Sequence, residues 1–216
     1  MNLEKLKNAE AYFLELYPEG FQDIGLQPII KRHNTAKTGE LVQELFAKEN
    51  FSQPELICEN FVKIVSKSTL ISLFEKPKVR DMIKSMRMER RDMVSIGLYE
   101  MLYGDKKEGF EILVDVLSSY GLAKWPIVTL IPYYFYRDKE FFIKPTTTKN
   151  ILSFFEIEGL VYKPKPSYEF YVEYTTVLTT MKHNVGNKIS HDDNAGFTGF
   201  LMMAMEERKY LKMLCI

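Results

Sequence analysis

The chain has 216 residues, of which 46% are hydrophobic and 27% charged, and its formal net charge is zero. This composition excludes a disordered protein, because disordered chains combine low hydrophobicity with high net charge. The charge balance also excludes a generally basic protein, so any attraction to nucleic acid must come from a local patch of cations.

Apolar residues at helical spacing dominate the N-terminal part of the chain. An apolar stripe over Leu3–Leu16 predicts a first helix, which Pro18 and Gly20 end. A basic, turn-rich stretch follows, and then the segment ELVQELFAKEN resumes the helical pattern. Ser52 and Glu55 resemble a capping box, so we expect the next helix to begin there.

The middle of the chain predicts one long helix and one of ordinary length. The long helix runs from Lys78 to about Tyr103 and stops at Gly104, a residue that commonly ends helices. Asp105 with Glu108 resembles another capping box and opens the next helix, which ends at Tyr120–Gly121.

The segment from Trp125 to Tyr136 holds no charged residue and includes the only tryptophan of the chain. A helix that is apolar on all sides is a buried one, so this segment predicts the central helix of the core, with a kink at Pro132. Buried tyrosines need a partner for the hydroxyl group, so we expect Tyr133, Tyr134 or Tyr136 to reach a polar neighbour or the surface.

The last third of the chain predicts three more helices. A short one covers Thr146–Ile157, a second begins at Ser167, and Asp192 or Asp193 caps the last. Alternating strand patterns are scarce. The sequence therefore predicts an all-α protein of about eight helices in a single globular domain, with two lobes divided near residues 160–166 as the alternative.

A ridge of cations is the first candidate site. Between Lys76 and Arg91 the chain has seven basic residues and two acidic ones. Spacings of four, three and four place four of the cations on one face of the long predicted helix: Arg80, Lys84, Arg87 and Arg91. Such a ridge can bind phosphates by releasing their counterions. The alternative is a solvated face whose lysine and arginine stems cover neighbouring apolar groups.

A helix, a tight turn and a second helix surround the segment GLAKW, and this arrangement resembles the helix-hairpin-helix DNA glycosylase superfamily over residues 121–152. Gly121 and Leu122 match the first two positions of the family's glycine–hydrophobic–glycine turn, whose backbone N–H groups approach a DNA phosphate. Trp125 suits the start of the helix that follows. The resemblance implies a helical fold and a DNA-related ancestor, and adds Gly121 and Lys124 to the candidate nucleic-acid-binding residues.

The chain departs from that family at three points. Ala123 replaces the second glycine, which puts the close approach to phosphate in doubt. Lys144 and Pro145 stand where the family carries its acidic pair, so the catalytic aspartate is missing. Lys124 is one place short of the position of the nucleophilic lysine in lyase-type members. The resemblance therefore does not imply the standard glycosylase mechanism.

Other chemical motifs are missing from the sequence. The three histidines, His33, His183 and His191, have no metal-binding spacing, and a helix cap explains the acidic residues beside His191, so we expect no metal and no cofactor. The two cysteines, Cys58 and Cys215, are far apart, which fits a reducing compartment. Without a signal peptide or a spanning segment in the sequence, we expect a cytoplasmic protein without membrane contact.

Three hypotheses for the function follow. The first is a non-enzymatic binding protein whose partner is DNA or another phosphate polymer. The second is an enzyme, a hydrolase or base-excision relative with a rearranged site, whose pocket would lie near Trp125, Tyr133 and Lys144. The third is a protein-interaction or scaffold module, or a homo-oligomer, that uses the apolar C-terminal helix around Gly196–Met205. Whether the protein is an enzyme stays open at this point.

Overall fold

A computed structural model describes the backbone of residues 1–190 and 193–214, and the side chains of these residues up to 205. Throughout this part of the chain, the regular secondary structure is helical and no strand occurs. The prediction of an all-α fold is confirmed.

The described residues form eleven α-helices, more than the predicted number of about eight. They are α1 (Leu3–Leu16), α2 (Gln27–His33), α3 (Thr35–Leu45), α4 (Pro54–Lys67), α5 (Lys76–Ser85), α6 (Met88–Tyr103), α7 (Lys106–Ser118), α8 (Trp125–Phe135), α9 (Pro145–Phe154), α10 (Tyr168–His183) and α11 (Asn194–Leu214). Short 3-10 turns lie at Gly20–Gln22, Ile24–Leu26 and Lys48–Ser52. The larger number arises because the basic stretch contains α2 and because the long predicted helix is two helices, α5 and α6.

Packing divides the chain into two compact units, each built from separate segments. The first unit comprises Met1–Asn34, Arg137–Tyr162 and Phe170–Ile216, and the second comprises Thr35–Tyr136 and Lys163–Glu169. One division, between Tyr162 and Lys163, falls within the segment 160–166 that the sequence offers as a boundary.

Helix α8 forms the centre of the second unit. All of its residues are buried, including Pro132 inside the helix, and it packs against α3, α4, α6 and α7. The prediction of a buried core helix is confirmed. Tyrosines of α8 and its C-cap also have polar partners: the Tyr134 hydroxyl lies 3.0 Å from the Ser68 hydroxyl, and the hydroxyl of the C-cap residue Tyr136 donates to the carbonyl of Leu102 at 2.5 Å.

Helices α6 and α7 pack closely through a pair of glycines. A Cβ atom added at Gly109 would lie 2.4 Å from the backbone nitrogen of Met101 and 2.5 Å from the carbonyl oxygen of Gly97. The backbones of the two helices therefore touch where both residues lack a side chain, which permits this helical hairpin of the second unit.

One predicted helix cap is confirmed and another is wrong. The Asp105 carboxylate accepts the N–H groups of Lys107 and Glu108 at 2.9 and 3.0 Å, as the capping box predicts for α7. Helix α4 instead follows Gln53, which makes no side-chain cap hydrogen bond. The Ser52 hydroxyl donates to a carbonyl in the preceding 3-10 turn and so does not cap α4.

In the first unit, α11 packs against α1 and α9. The rings of Phe13 and Phe200 meet edge to face with their centroids 5.2 Å apart. Asp193 accepts the N–H of Ala195 at 2.7 Å and so caps α11, as the sequence predicts, whereas Asp192 lies outside the described residues. The apolar run of α11 up to Met205 supplies five buried side chains: Phe197, Phe200, Leu201, Ala204 and Met205.

Candidate phosphate-binding surface

The four predicted ridge cations are not on one helix. Helix α5 ends at Ser85, Met86 and Arg87 are extended with ψ angles of 138° and 161°, and α6 begins at Met88. The prediction of one continuous helix is therefore wrong. The Ser85 hydroxyl donates to the carbonyl of Met82 at 2.9 Å, a local bond that competes with the helical pattern. Arg80 and Lys84 belong to α5, Arg87 to the junction, and Arg91 to α6.

Arg91 closes the C-terminal end of α5. Its Nη2 donates to the carbonyl of Lys84 at 3.4 Å, and its Nε is buried without a hydrogen-bond partner in the described part of the chain. The Arg91 carbonyl in turn lies 3.6 Å from the Cys58 thiol, which donates to it. A cation that satisfies the last carbonyls of a helix stabilises the helix end, so Arg91 has a structural role.

The remaining ridge cations are exposed. Lys84 and Arg87 form no ion pair with any described residue, and Lys78, also on α5, forms none. Arg80 Nε lies 3.2 Å from Asp81 Oδ1, and both side chains are more than half exposed. Exposed pairs of this kind contribute little and exchange readily for another anion. Three free cations and one weakly paired cation thus follow α5 and its junction with α6.

The glycine turn after α7 caps the C-terminal end of that helix. Gly121 has a φ of 67°, in the left-handed region that favours glycine. Its N–H donates to the Ser118 carbonyl at 3.0 Å, and the N–H of Leu122 donates to the Leu117 carbonyl at 2.9 Å. These two bonds form a Schellman motif. Because both N–H groups are already used, neither is free to approach a phosphate.

Lys124 brings the glycine turn to the start of α5. Its Nζ lies 2.8 Å from Oε1 of Glu75, the residue immediately before α5. Glu75 is the better shielded partner, with 15% of its side chain exposed against 45% for Lys124. The structure therefore joins one end of the cation-bearing helix to the predicted hairpin, both within the second unit. We call the cations on and beside α5 the α5 surface, namely Lys78, Arg80, Lys84, Arg87 and Lys124; Lys78 and Arg80 lie on different sides of the helix, because residues two apart do not share a face.

The predicted pocket residues lie in two different units. Trp125 and Tyr133 belong to the second unit and are only 1% and 3% exposed. The Trp125 indole N–H donates to the Lys163 carbonyl at 2.7 Å. This bond holds the segment that contains Pro164 and Pro166 against α8. Lys144 belongs to the first unit, where it is exposed at the N-cap of α9. Trp125 and Tyr133 thus serve the core.

The described histidines do not converge with other metal ligands. Among the described side chains, those of residues 1–190 and 193–205, no three His, Cys, Asp or Glu form a group able to hold a metal ion. Burial, together with the charges of Arg32 and Lys144, lowers the pKa of His33. His183 is exposed at the end of α10, and His191 lies outside the described residues.

A buried polar network around Glu140 in the first unit was not predicted. Glu140 is buried, and its carboxylate accepts a hydrogen bond from the Tyr171 hydroxyl. The Asn194 side chain donates to the Glu140 carbonyl at 3.0 Å, and the Asn194 backbone donates to the carbonyl of Arg137 at 2.8 Å. The sequence signal here is four consecutive charged residues, RDKE, directly after Tyr136. These bonds connect the segment before α9 to α10 and α11. Glu140 therefore stabilises the fold of the first unit.

No family model, curated protein or solved structure matches the chain. The resemblance to helix-hairpin-helix glycosylases therefore stays a prediction. Within the described residues, no helix is both long enough and apolar enough to cross a membrane.

Proposed function

We propose that this is a non-enzymatic binding protein whose second unit binds DNA or another phosphate polymer through the α5 surface. The proposal is carried by the exposed cations of α5 and its junction with α6, to which the 2.8 Å contact between Lys124 and Glu75 adds the predicted hairpin. Exposed Lys84 and Arg87, free of ion pairs with described residues, supply the cations that phosphates need.

Binding of this kind is governed by phosphate contacts. Each cation that neutralises a phosphate of duplex DNA releases counterions, and the logarithm of affinity falls by about 0.9 per contact for each unit of the logarithm of salt concentration. Such contacts carry no sequence information, so we expect affinity without marked sequence preference.

A titration at two salt concentrations tests the proposal. Fluorescence anisotropy of labelled duplex and single-stranded oligonucleotides is measured for the wild type and for a Lys84→Gln, Arg87→Gln variant. We expect the variant to bind more weakly at low salt. The slope of its log affinity against log salt concentration should be shallower, by the amount that about two phosphate contacts contribute. The matched control is Lys31→Gln, Arg32→Gln, which removes the same charge from exposed positions on α2 of the first unit.

Two outcomes would contradict the proposal: no binding by the wild type at low salt, or equal losses in the variant and the control. The enzyme hypothesis stays a prediction without a specific observation in its favour. The scaffold and homo-oligomer hypotheses stay predictions: in the apolar C-terminal run, Phe197, Phe200, Leu201, Ala204 and Met205 are buried, whereas Met202 and Met203 are half-buried.

A further inference from the structure

The turn between α4 and α5 exposes two large apolar side chains. Leu73 and Phe74 are 78% and 83% exposed, and no ring of the described residues pairs with the ring of Phe74. Single exposed apolar residues are common on protein surfaces, but here two of them adjoin in the chain directly before a basic helix.

The backbone of this turn is held in place. The Ser72 hydroxyl accepts the N–H of Phe74 at 3.3 Å, and the Ser72 carbonyl accepts the N–H groups of Glu75 and Lys76 at 3.0 and 3.3 Å. Ile71 on one side is buried, and Glu75 on the other is paired with Lys124. A fixed backbone presents the two side chains at little cost in ordering on binding.

The charges around the turn select an anionic ligand. Exposed Lys78 lies one helical turn after Phe74, and Lys124 lies beside Glu75. Lys76 and Lys124 are the less available cations, because Lys76 Nζ donates to the carbonyl of Ser66 at 2.8 Å and Lys124 Nζ is paired with Glu75. A ligand that suits both features has negative charges next to flat apolar groups, as a nucleotide chain does.

We infer that the Leu73–Phe74 turn is a stacking site for an unpaired base of single-stranded nucleic acid whose phosphates lie along the α5 surface. The inference rests on the proposed function and specifies its partner. Bases in a duplex stack on one another, whereas those of a single strand have free faces that aromatic side chains bind. The cations extend along α5, ten residues and so about 15 Å long, which suits a linear polyanion.

The rival ligand is an anionic membrane surface, into which Leu73 and Phe74 would insert. A membrane is planar and would favour cations only around the apolar tip, whereas here Arg80, Lys84 and Arg87 continue away from it along α5 and its junction with α6. The arrangement therefore favours the nucleic acid, and vesicles serve as a competing probe in the test.

Anisotropy with two oligonucleotides of equal length and charge isolates the stacking contact. One is a thymidine oligonucleotide and the other is its abasic counterpart, which keeps the phosphates and lacks the bases. We expect the wild type to prefer the thymidine oligonucleotide, and Phe74→Ala to lower that affinity about tenfold with no change for the abasic one. Phe74→Trp should retain the preference, because tryptophan also stacks.

The control variant is Ile24→Ala, which removes an apolar side chain that is 87% exposed in the first unit. Equal affinity of the wild type for the two oligonucleotides would overturn the stacking site while leaving the phosphate-binding proposal intact. Failure to bind either one at low salt would overturn both. Phe74-dependent binding to phosphatidylserine vesicles, without Phe74-dependent binding to the thymidine oligonucleotide, would replace the inference with a membrane contact.

Discussion

Lys124 Nζ and Glu75 Oε1 lie 2.8 Å apart although the two residues are separated by 49 positions in the sequence. The contact brings the turn before α8 to the residue that directly precedes α5. In this pair a carboxylate also neutralises a cation of the α5 surface. The pair therefore favours folding but weakens the attraction of the surface for phosphates.

We expect Glu75→Gln to raise affinity for a single-stranded or duplex oligonucleotide several-fold, because it removes a negative charge and frees Lys124. Lys124→Gln should lower the affinity. The free energy of unfolding should change by less than about 1 kcal/mol in either variant, since partly exposed pairs contribute little. Anisotropy at low salt and urea unfolding measure the two effects. Unchanged binding in both variants would assign the pair a purely structural role.

Substitution of Arg91 should reduce stability, whereas substitution of Arg87 should reduce oligonucleotide binding. Arg91→Ala removes the hydrogen bond to the Lys84 carbonyl, so we expect the free energy of unfolding to fall by about 1–2 kcal/mol. Arg87→Ala changes an exposed side chain and should alter stability by less than about 0.5 kcal/mol while weakening oligonucleotide binding. Urea unfolding and anisotropy on the same samples test this. The reverse order of the stability losses would show that Arg91 does not support the end of α5.

Alanine substitution should destabilise the protein strongly at Gly109, where α6 and α7 touch, and stabilise it slightly at Gly199 in α11. A Cβ at Gly109 would clash with backbone atoms, so Gly109→Ala should destabilise the protein by at least about 1–3 kcal/mol. At Gly199, inside α11, a Cβ would meet no atom within 4 Å. There alanine should stabilise by about 0.5–1 kcal/mol through helix propensity. Thermal unfolding of the two variants is the measurement, and equal melting temperatures would contradict the predicted clash.

Cys58 should be an unreactive thiol. Burial raises its pKa to about 12, more than the nearby Arg91 lowers it, so almost no thiolate forms near neutral pH. In a Cys215→Ser background, we expect a disulfide reagent to react slowly with the native protein and rapidly after urea unfolding. Equally fast reaction in both states would show that Cys58 is accessible.

The raised pKa of Cys58 also predicts that the protein becomes less stable at alkaline pH. The folded protein holds the thiol proton more tightly than the unfolded chain, whose thiol has an ordinary pKa of 9.0. The free energy of unfolding should therefore fall as the pH rises above about 9, by up to about 1.4 kcal/mol per pH unit. Cys58→Val should remove this part of the decline, which urea unfolding at neutral and alkaline pH measures.

The features that could be predicted from the sequence are local ones. The uncharged segment of α8 predicts a buried helix, and Asp105 predicts the start of α7, because each signal lies within a few residues of the structure it specifies. The break between α5 and α6 has no such signal, since neither glycine nor proline lies between Lys84 and Met88. The Ser85 hydrogen bond and the Arg91 cap, which mark this break, become visible only in the folded chain.

The sequence by itself determined that the protein is all-helical, that α8 is buried and that its basic residues concentrate between Lys76 and Arg91. Tertiary structure decided which of those cations are available: it assigned Arg91 to a helix end, left Lys84 and Arg87 exposed, and brought Lys124 to Glu75. The physical reason is that helix formation depends on neighbours three or four residues away. The exposure and pairing of a charge depend on groups that only folding brings together.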